Sequence, residues 1–317
     1  MMRRETTRRG VLKMGGAAVA AAAVGIGSAT AAESEWTTRA TPTGNTLYGI
    51  EMTTDGAYAV GGGGVVLERA PEGYRKVIDG GPTGNGNGLY GADTTDYGTR
   101  LWFVGSSGAI GEYDVEAGVL YDHSAPNDVT NNFNDVAVRG TGDSANVYVA
   151  GDSGKIYYSF DGGKTGTWNS VTPGSGSAIN ALDFFGDRYG HAVDGNKTVF
   201  YTRDGSTWDT LGIENADHNF YGVDSDGFDD VTVSGGGGTV YNWTGSQWVR
   251  QDTGDASLRD LEVTGTPGLT VGGGGAVFRR GETGWTQEQT PVGDNLKSVL
   301  RGNVEIAVGA GGTVIEN

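Results

Sequence analysis

The chain repeats one pattern, in which a short strand of small and apolar residues, a glycine-rich turn and a second apolar strand follow one another. The pattern is clearest at residues 57–67, where four consecutive glycines separate two apolar runs. Glycine readily adopts the positive φ of a tight turn, and the β-branched and aromatic flanks favour strands. The pattern therefore predicts a β-hairpin.

The hairpin recurs along the chain at a spacing of roughly 40 residues. The last turn residues of the copies are Gly64, Gly108, Gly154, Asn196, Gly238, Gly275 and Gly312. Each hairpin follows an apolar-led strand, and each of the first six precedes a strand with an aromatic residue. These aromatic residues are Tyr74, Tyr121, Trp168, Trp208, Trp248 and Trp285. Seven copies of a four-stranded unit predict an all-β fold, a seven-bladed β-propeller.

The seventh repeat stops at Asn317, directly after its third strand. A spare strand with an aromatic residue, Trp36, lies in the N-terminal segment 33–40. Because an open ring would expose sheet edges, we expect this segment to complete the last blade. The predicted blades span approximately residues 47–79, 89–122, 133–172, 179–212, 220–252, 258–290, and 296–317 together with 33–40.

The first 31 residues are typical of a targeting signal. Arg8 and Arg9 form a twin-arginine motif, an alanine-rich apolar segment follows, and small residues at 29–31 offer a cleavage site. An N-terminal membrane anchor is the alternative, but the apolar stretch is short for a bilayer span. We therefore predict a twin-arginine signal peptide at 1–31 and a propeller domain at 32–317, exported already folded to the cell surface or the medium.

Charge and composition narrow the range of partners. The formal net charge is −17, and loss of the basic leader would make it more negative. Such a balance opposes binding to nucleic acid or to an anionic membrane. It is typical of proteins from salt-loving organisms, although multivalent cation binding is an alternative. The chain has no cysteine, which excludes disulfides and thiolate metal sites.

Two repeats carry a further motif. Residues 159–165, followed by Trp168, resemble the Asp-box of the sialidase-type (BNR) repeat family, and residues 202–208 resemble a shortened copy. In that family the motif is a turn between the third and fourth strands. The resemblance therefore implies structural roles for Asp161, Asp204, Trp168 and Trp208, with both carboxylates bonded to backbone amides. Over residues 34–317 the whole repeat resembles the photosystem II assembly-factor-like propellers, which implies the same fold.

The sequence contains no recognisable catalytic constellation. His123, His191 and His218 lie in different repeats without metal-ligand spacing, and we expect them at the surface or in turns. The glycine turns are unlike phosphate loops because strands follow them rather than helices. We therefore predict that the protein is not an enzyme.

One acidic segment offers an alternative chemistry. Asp224, Asp226, Asp229 and Asp230 surround Gly227 and could supply oxygen ligands to calcium. The segment also lies where the first two strands of the fifth blade join, so an ordinary Asp-Gly turn explains it as well. Calcium is the one cofactor that the sequence suggests.

The loops that enter each first strand are rich in asparagine. In a propeller these loops share a face with the turns between the second and third strands, and loops on a rigid scaffold commonly carry binding residues. The candidate ligand-binding residues are Asn45, Asn87, Asn132, Asn219 and Asn295. The competing interpretation is that asparagine simply suits turns. Asn196 and Asn242 fit the glycosylation acceptor pattern.

The sequence thus predicts an exported, monomeric, non-catalytic propeller that binds a protein or a cell-envelope component. A sialidase-like glycan hydrolase and a calcium-dependent structural module of the cell surface are the alternatives.

Overall fold

The computed structural model describes residues 36–265 and 267–317, so the predicted targeting segment lies outside the described residues. These residues form seven antiparallel sheets of four strands each. The first strands of consecutive sheets contact one another, and the first strand of the first sheet contacts that of the last. The sheets therefore form a closed ring, and the predicted seven-bladed propeller is confirmed.

After the short strand β1 (Thr37–Thr38), each of the first four blades takes four consecutive strands of the chain. Blade 1 contains β2 (Leu47–Thr53), β3 (Gly56–Gly61), β4 (Val65–Ala70) and β5 (Gly73–Ile78). Blade 2 contains β6 (Leu89–Thr95), β7 (Arg100–Gly105), β8 (Ile110–Asp114) and β9 (Val119–Asp122). Blade 3 contains β10 (Phe133–Arg139), β11 (Asn146–Gly151), β12 (Ile156–Ser159) and β13 (Asn169–Val171). Blade 4 contains β14 (Ile179–Gly186), β15 (Tyr189–Asp194), β16 (Val199–Thr202) and β17 (Trp208–Thr210).

The remaining blades follow the same plan. Blade 5 contains β18 (Phe220–Gly227), β19 (Asp230–Gly235), β20 (Thr239–Trp243) and β21 (Trp248–Asp252). Blade 6 contains β22 (Leu258–Val263), β23 (Gly268–Gly272), β24 (Val277–Gly281) and β25 (Gly284–Glu288). Blade 7 contains β26 (Leu296–Leu300), β27 (Ile306–Gly309), β28 (Val314–Glu316) and β1. The described helical segments are short 3₁₀ turns at Gly62–Gly64, Asp96–Gly98, Ser106–Gly108, Pro126–Asp128, Gly142–Ser144, Gly273–Gly275 and Ala310–Gly312.

The hydrophobic core lies between neighbouring blades rather than within one sheet. Tyr58 and Val60 of blade 1 pack in one buried cluster with Leu89 and Phe103 of blade 2. Each middle strand is therefore covered on both faces, which explains why apolar residues run continuously there instead of alternating. No segment of the described chain forms a helix with the length and hydrophobicity needed to span a bilayer.

The glycine turns between second and third strands pack against the loops that enter the next blade. Gly238 and Gly275 both have positive φ, and a Cβ on either would lie 2.0 Å or less from a backbone carbonyl oxygen, that of Gly254 or Val292. Only glycine fits both the conformation and the space. The turns and the entering loops therefore form one face of the ring, which we call the loop face.

The ring is closed by the N-terminal strand, as predicted. In β1, Thr37 pairs with Glu316 and Thr38 with Ile315 of β28. The adjacent Trp36 is buried among apolar residues of blades 6 and 7, and its Nε1 donates to Glu288 Oε2 at 2.7 Å. On the other side of β28, Arg69 of blade 1 donates to both carboxylate oxygens of Glu316. Side chains on both sides thus reinforce a two-residue strand pair.

Candidate functional site in the central channel

The first strand of each blade lines the central channel, and its second residue lies near the loop face. From blade 1 to blade 7 these seven residues are Tyr48, Tyr90, Asn134, Asn180, Tyr221, Arg259 and Lys297. They line a cavity of about 330 Å³ to which every blade contributes. We call them the mouth ring.

Five consecutive blades supply aromatic and cationic residues to the mouth ring. The guanidinium of Arg259 lies 4.1 Å from the ring centroid of Tyr221, and the ammonium of Lys297 lies 6.0 Å from that of Tyr48. Tyr48 in turn meets Tyr90 edge to face, with 5.1 Å between their centroids. All five side chains are half-buried. The order around the ring is Tyr221, Arg259, Lys297, Tyr48 and Tyr90, and we call this set the cationic arc.

The two cations of the arc have no anionic partner within the described part of the chain, since neither Arg259 nor Lys297 forms an ion pair or a hydrogen bond there. Burial and the nearby charge of Arg259 lower the pKa of Lys297 below its ordinary value. The arc therefore contains two adjacent positive charges that form no ion pair with the described chain, although Glu51, Asp135 and Asp260 line the same cavity.

The other two members of the mouth ring, Asn134 and Asn180, form the asparagine arc. Asn134 Nδ2 donates to the carbonyl oxygen of Ile179 at 2.9 Å, and Asn180 Nδ2 donates to that of Phe220 at 2.6 Å. Each bond joins one blade to the first strand of the next. These amide donors are therefore used to hold blades together.

Carboxylates deeper in the channel hold the blades together in the same way. Each accepts a backbone N–H from the first strand of the next blade, at 2.5–3.0 Å. The pairs are Asp93 with Val138, Asp135 with Leu182, Asp183 with Ser225, Asp224 with Val263, Asp260 with Val299 and Glu262 with Arg301. The first strand is the inner edge of its sheet, so its channel-facing amides lack a strand partner. The carboxyl oxygens satisfy these amides as hydrogen-bond acceptors.

Arg139 balances part of this buried acid. It lies between Asp93 of blade 2 and Asp183 of blade 4, at 3.3 and 3.4 Å, and also donates to the carbonyl oxygen of Phe184. Only 7% of Arg139 is exposed. It spans three blades and has the carboxylate partners that Arg259 and Lys297 lack.

The predicted asparagine residues lie on the loop face but do not line the cavity. Asn45 donates to the carbonyl oxygen of Gly62, and the side-chain oxygens of Asn132 and Asn295 accept amides of the turns at Ser107 and Gly274. These three side chains therefore hold the turns in place. The other two, Asn87 and Asn219, are half-buried and exposed in their loops.

Sequence reasoning missed the mouth ring, although each member directly follows the apolar residue that starts its strand. Aligning the seven strand starts places these residues at one equivalent position. The sequence alone does not indicate that the second residue of the strand faces the channel.

The acidic segment of blade 5 does not converge on one point. Asp224 is buried and accepts the Val263 amide, whereas Asp229 and Asp230 are exposed where β18 turns into β19, and Asp226 is half-buried near the end of β18. Across residues 36–265 and 267–317, no group of three or more His, Asp or Glu side chains is placed to hold a metal ion. Calcium binding by this segment stays a prediction.

The two Asp-box-like turns differ from each other. Asp204 accepts the amides of Ser206 and Thr207, both at 2.7 Å. Although its partial burial opposes ionisation, these hydrogen bonds prevail and lower the pKa of Asp204.

In the first copy, a hydroxyl group rather than the predicted carboxylate accepts the backbone amides of the turn. Ser159 Oγ accepts the amides of Asp161 and Gly163, while the Asp161 carboxylate pairs with Lys164 at 2.9 Å. Trp168 is buried and donates to the Gly163 carbonyl oxygen, and Trp208 is half-buried at the start of β17. Both turns lie between third and fourth strands, where the resemblance implied.

Three further residues have environments that bear on the predictions. Contrary to expectation, His191 is buried, and it contacts Ser225 Oγ at 2.7 Å. Burial and the charge of Arg203 lower the pKa of His191 to about 3. Asn196 is exposed in its turn, whereas the amide of Asn242 donates to Thr232 Oγ1 on the sheet. Glycosylation at either asparagine stays a prediction.

No protein-family model matches this chain, and neither does any curated protein sequence. Solved structures share its fold. A catalytically inactive virginiamycin B lyase from Staphylococcus aureus with quinupristin has 13% identity and a TM-score of 0.76, covering 89% of this chain and 98% of that one. YCF48 bound to a D1 peptide has 14% identity and a TM-score of 0.71, covering 90% and 95%. The WD40 repeats of RRP9 have 12% identity and a TM-score of 0.71, covering 89% and 96%. The chain is a β-propeller of a kind found in both enzymes and binding scaffolds.

Proposed function

We propose that this protein is an exported, non-catalytic propeller that binds a protein or cell-envelope ligand at the mouth of its central channel. The observation that carries the proposal is the cationic arc, with two cations that form no ion pair and three tyrosines facing one cavity. Cations that the fold does not use, beside aromatic walls, are typical of a ligand-binding surface.

Catalysis is less well supported because the candidate groups have structural partners. The channel carboxylates accept backbone amides, and a glycosidase needs a pair of carboxyl groups flanking the scissile bond. His191 is neutral at pH 7 and buried, so it is not placed to exchange protons with a ligand in the cavity. A binding role accounts for the arc without a reactive group.

The predicted leader and the acidic composition support export and exclude some partners. A twin-arginine signal would deliver the finished ring outside the cytoplasm. The net charge of −17 opposes nucleic acid. We therefore place a monomeric protein outside the cytoplasm or at the cell surface, with a protein or an envelope component as its partner.

The test is capture from a cell-envelope extract in high salt. The mature protein is compared with a Tyr48→Ala, Tyr90→Ala double variant, which removes two walls of the cavity. We expect at least a tenfold loss of the captured species, because buried aromatic contacts dominate binding energy. The matched control is Tyr97→Ala combined with Tyr189→Ala. Both control tyrosines are exposed at the opposite end of the channel, Tyr97 in the turn between β6 and β7 and Tyr189 as the first residue of β15.

Equal capture by both double variants would contradict the proposal. Release of fluorophore from a panel of fluorogenic glycosides would instead favour the sialidase-like alternative. A rise of the thermal midpoint in millimolar calcium, at fixed ionic strength, would favour the calcium-dependent structural module.

A further inference from the structure

Neither cation of the cationic arc forms an ion pair with a carboxylate of the described chain. In an acidic protein, a basic side chain can usually find a carboxylate partner, as Arg139 does within the same channel. Arg259 and Lys297 are half-buried side by side and have no such partner within the described residues. Two partly desolvated like charges raise the free energy of the folded state, and an anion bound between them would remove that cost.

The geometry of the pair suits a single carboxylate. Arginine presents a planar fork that can hold both oxygens of a carboxylate, and lysine adds a mobile point charge. Tyr221 packs against Arg259 on one side, and Tyr48 lies against Lys297 on the other. The tyrosines thus lie beside both cations and provide apolar walls for the group that carries the anion.

The floor of the cavity disfavours a more highly charged ligand. Glu51, Asp135 and Asp260 also line it. Asp135 and Asp260 accept the amides of Leu182 and Val299, so their carboxylate oxygens stay fixed below the arc. A phosphate or a polyanion would meet more repulsion from these groups than a monoanionic carboxylate does.

The asparagine arc disfavours a sugar. Recognition of sugar hydroxyls needs several free polar groups around the ring. One amide donor of each asparagine is already bonded to a backbone carbonyl oxygen, and Asn134 also donates to Asp152 Oδ1. A peptide carboxylate needs only the cations and the aromatic walls.

We propose that Arg259 and Lys297, flanked by Tyr221, Tyr48 and Tyr90, bind a carboxylate of a peptide, either an acidic side chain or a chain terminus. This inference rests on the proposed binding function and names the chemistry of its ligand. The cavity of about 330 Å³ has room for one or two residues, so the arc recognises a short segment of the partner.

The test titrates the unmodified mature protein with short peptides by calorimetry. One probe is an acetylated Gly-Tyr-Gly peptide with a free terminal carboxylate, and a second is the same peptide with a terminal amide. A third is an amide-capped peptide with one glutamate, and sodium glucuronate represents an acidic sugar. We expect binding of at least one carboxylate peptide, at least tenfold weaker binding of the amide, and no stronger binding of glucuronate. Equal affinity for acid and amide, preference for glucuronate, or no binding of any probe would overturn the proposal.

Variants then assign the binding to the arc. In an Arg259→Gln, Lys297→Gln double variant, two charge-assisted contacts are lost, and we expect roughly 100-fold weaker binding. Arg188→Gln is the matched control, because its guanidinium also stacks on an aromatic ring, Phe160 at 3.8 Å, but does not line the cavity. Lys297→Arg keeps the charge and is expected to bind within a few-fold of the wild type.

Two outcomes separate this inference from the broader proposal. Unchanged carboxylate affinity in the double variant would overturn the assignment to the arc. If envelope capture survives in the double variant but fails in Tyr48→Ala, Tyr90→Ala, the channel mouth still binds a partner while the carboxylate inference is wrong. If the double variant fails to fold, the comparison of acid and amide peptides on the wild type and the titration of Lys297→Arg still test the carboxylate proposal.

Discussion

The two arcs of the mouth ring are built at the same position of the same repeating strand but are used in different ways. In the asparagine arc, Asn134 and Asn180 donate to backbone carbonyl oxygens of the next blade. In the cationic arc, Arg259 and Lys297 have no hydrogen-bond partner in the described chain. Polar residues at equivalent positions of a repeat protein can therefore have different roles, and their contacts distinguish a structural residue from a candidate binding residue.

The hydrogen-bond partners of the channel carboxylates likewise indicate a structural role for these residues. Several carboxylates facing a channel would ordinarily indicate a metal or catalytic site. Here Asp93, Asp183 and Asp224 each accept an edge amide of the following blade. Their repetition from blade to blade indicates a way of joining sheets, whereas the unpaired cations break the repeat and therefore stand out.

The largest expected effect is a loss of stability when the buried cation between the channel carboxylates is removed. Replacing Arg139 with methionine leaves Asp93 and Asp183 buried without their cation. We expect the free energy of unfolding to fall by about 3–5 kcal/mol. Urea denaturation measures it, and peptide binding by the folded fraction should not change. A loss below about 1 kcal/mol would show that the buried network contributes little.

A smaller effect is expected from one wall of the cationic arc. Tyr221→Ala removes the aromatic face under Arg259, which lies at 4.1 Å. We expect carboxylate binding to weaken about tenfold, since a partly desolvated cation–π contact is worth about 1–2 kcal/mol. Calorimetric titration checks this, with Tyr97→Ala as the exposed-tyrosine control. Equal affinity in both variants would remove Tyr221 from the site.

In the asparagine arc, a substitution should lower stability and leave carboxylate binding unchanged. Asn180→Ala deletes the hydrogen bond to Phe220 and should cost about 1 kcal/mol of stability. Thermal melting should detect this as a fall of about 2–4 °C, while carboxylate affinity stays at the wild-type value. Asn219→Ala, at an exposed loop position, is the control. Weakened binding in Asn180→Ala would extend the ligand site across the whole ring.

The smallest effect concerns Lys297, whose pKa is lowered in the folded state. The folded protein then binds this proton less tightly than the unfolded chain, so stability rises with pH through the lowered pKa toward 10.5. We expect Lys297→Met to be at least as stable as the wild type at pH 7, and the gap to narrow at alkaline pH. Paired thermal melts at pH 7 and pH 9.5 measure this. A gap that widens with pH would contradict the assigned burial of the ammonium.

Much of the fold was predictable because its signals are local and repeated. The glycine turns, the apolar strand starts and the spare strand near Trp36 were enough for seven blades and their closure. The site was harder to predict because it depends on register within each strand. Whether Tyr48 or Leu47 faces the channel is decided by packing between blades, and the sequence of a single repeat does not encode it.

Other differences have the same cause. His191 was expected near the surface because histidine is polar, yet its position in β15 lies between packed blades and a hydroxyl of Ser225 meets its ring. Asp161 was expected to hold amides, but Ser159 at the end of the preceding strand already accepts them. In each case a neighbour distant in sequence, or a competing local acceptor, decided the outcome.

The pairing of β1 with β28 determines when the ring can close during synthesis and folding. Residue 37 pairs with residue 316, so the last blade combines β1 with three strands that are synthesised after the other six blades. Six blades can form during translation, but the ring stays open until Glu316 has left the exit tunnel of the ribosome. Strand β1 therefore stays without its pairing partner until β28 has been made, so closure of the ring is a late step in folding.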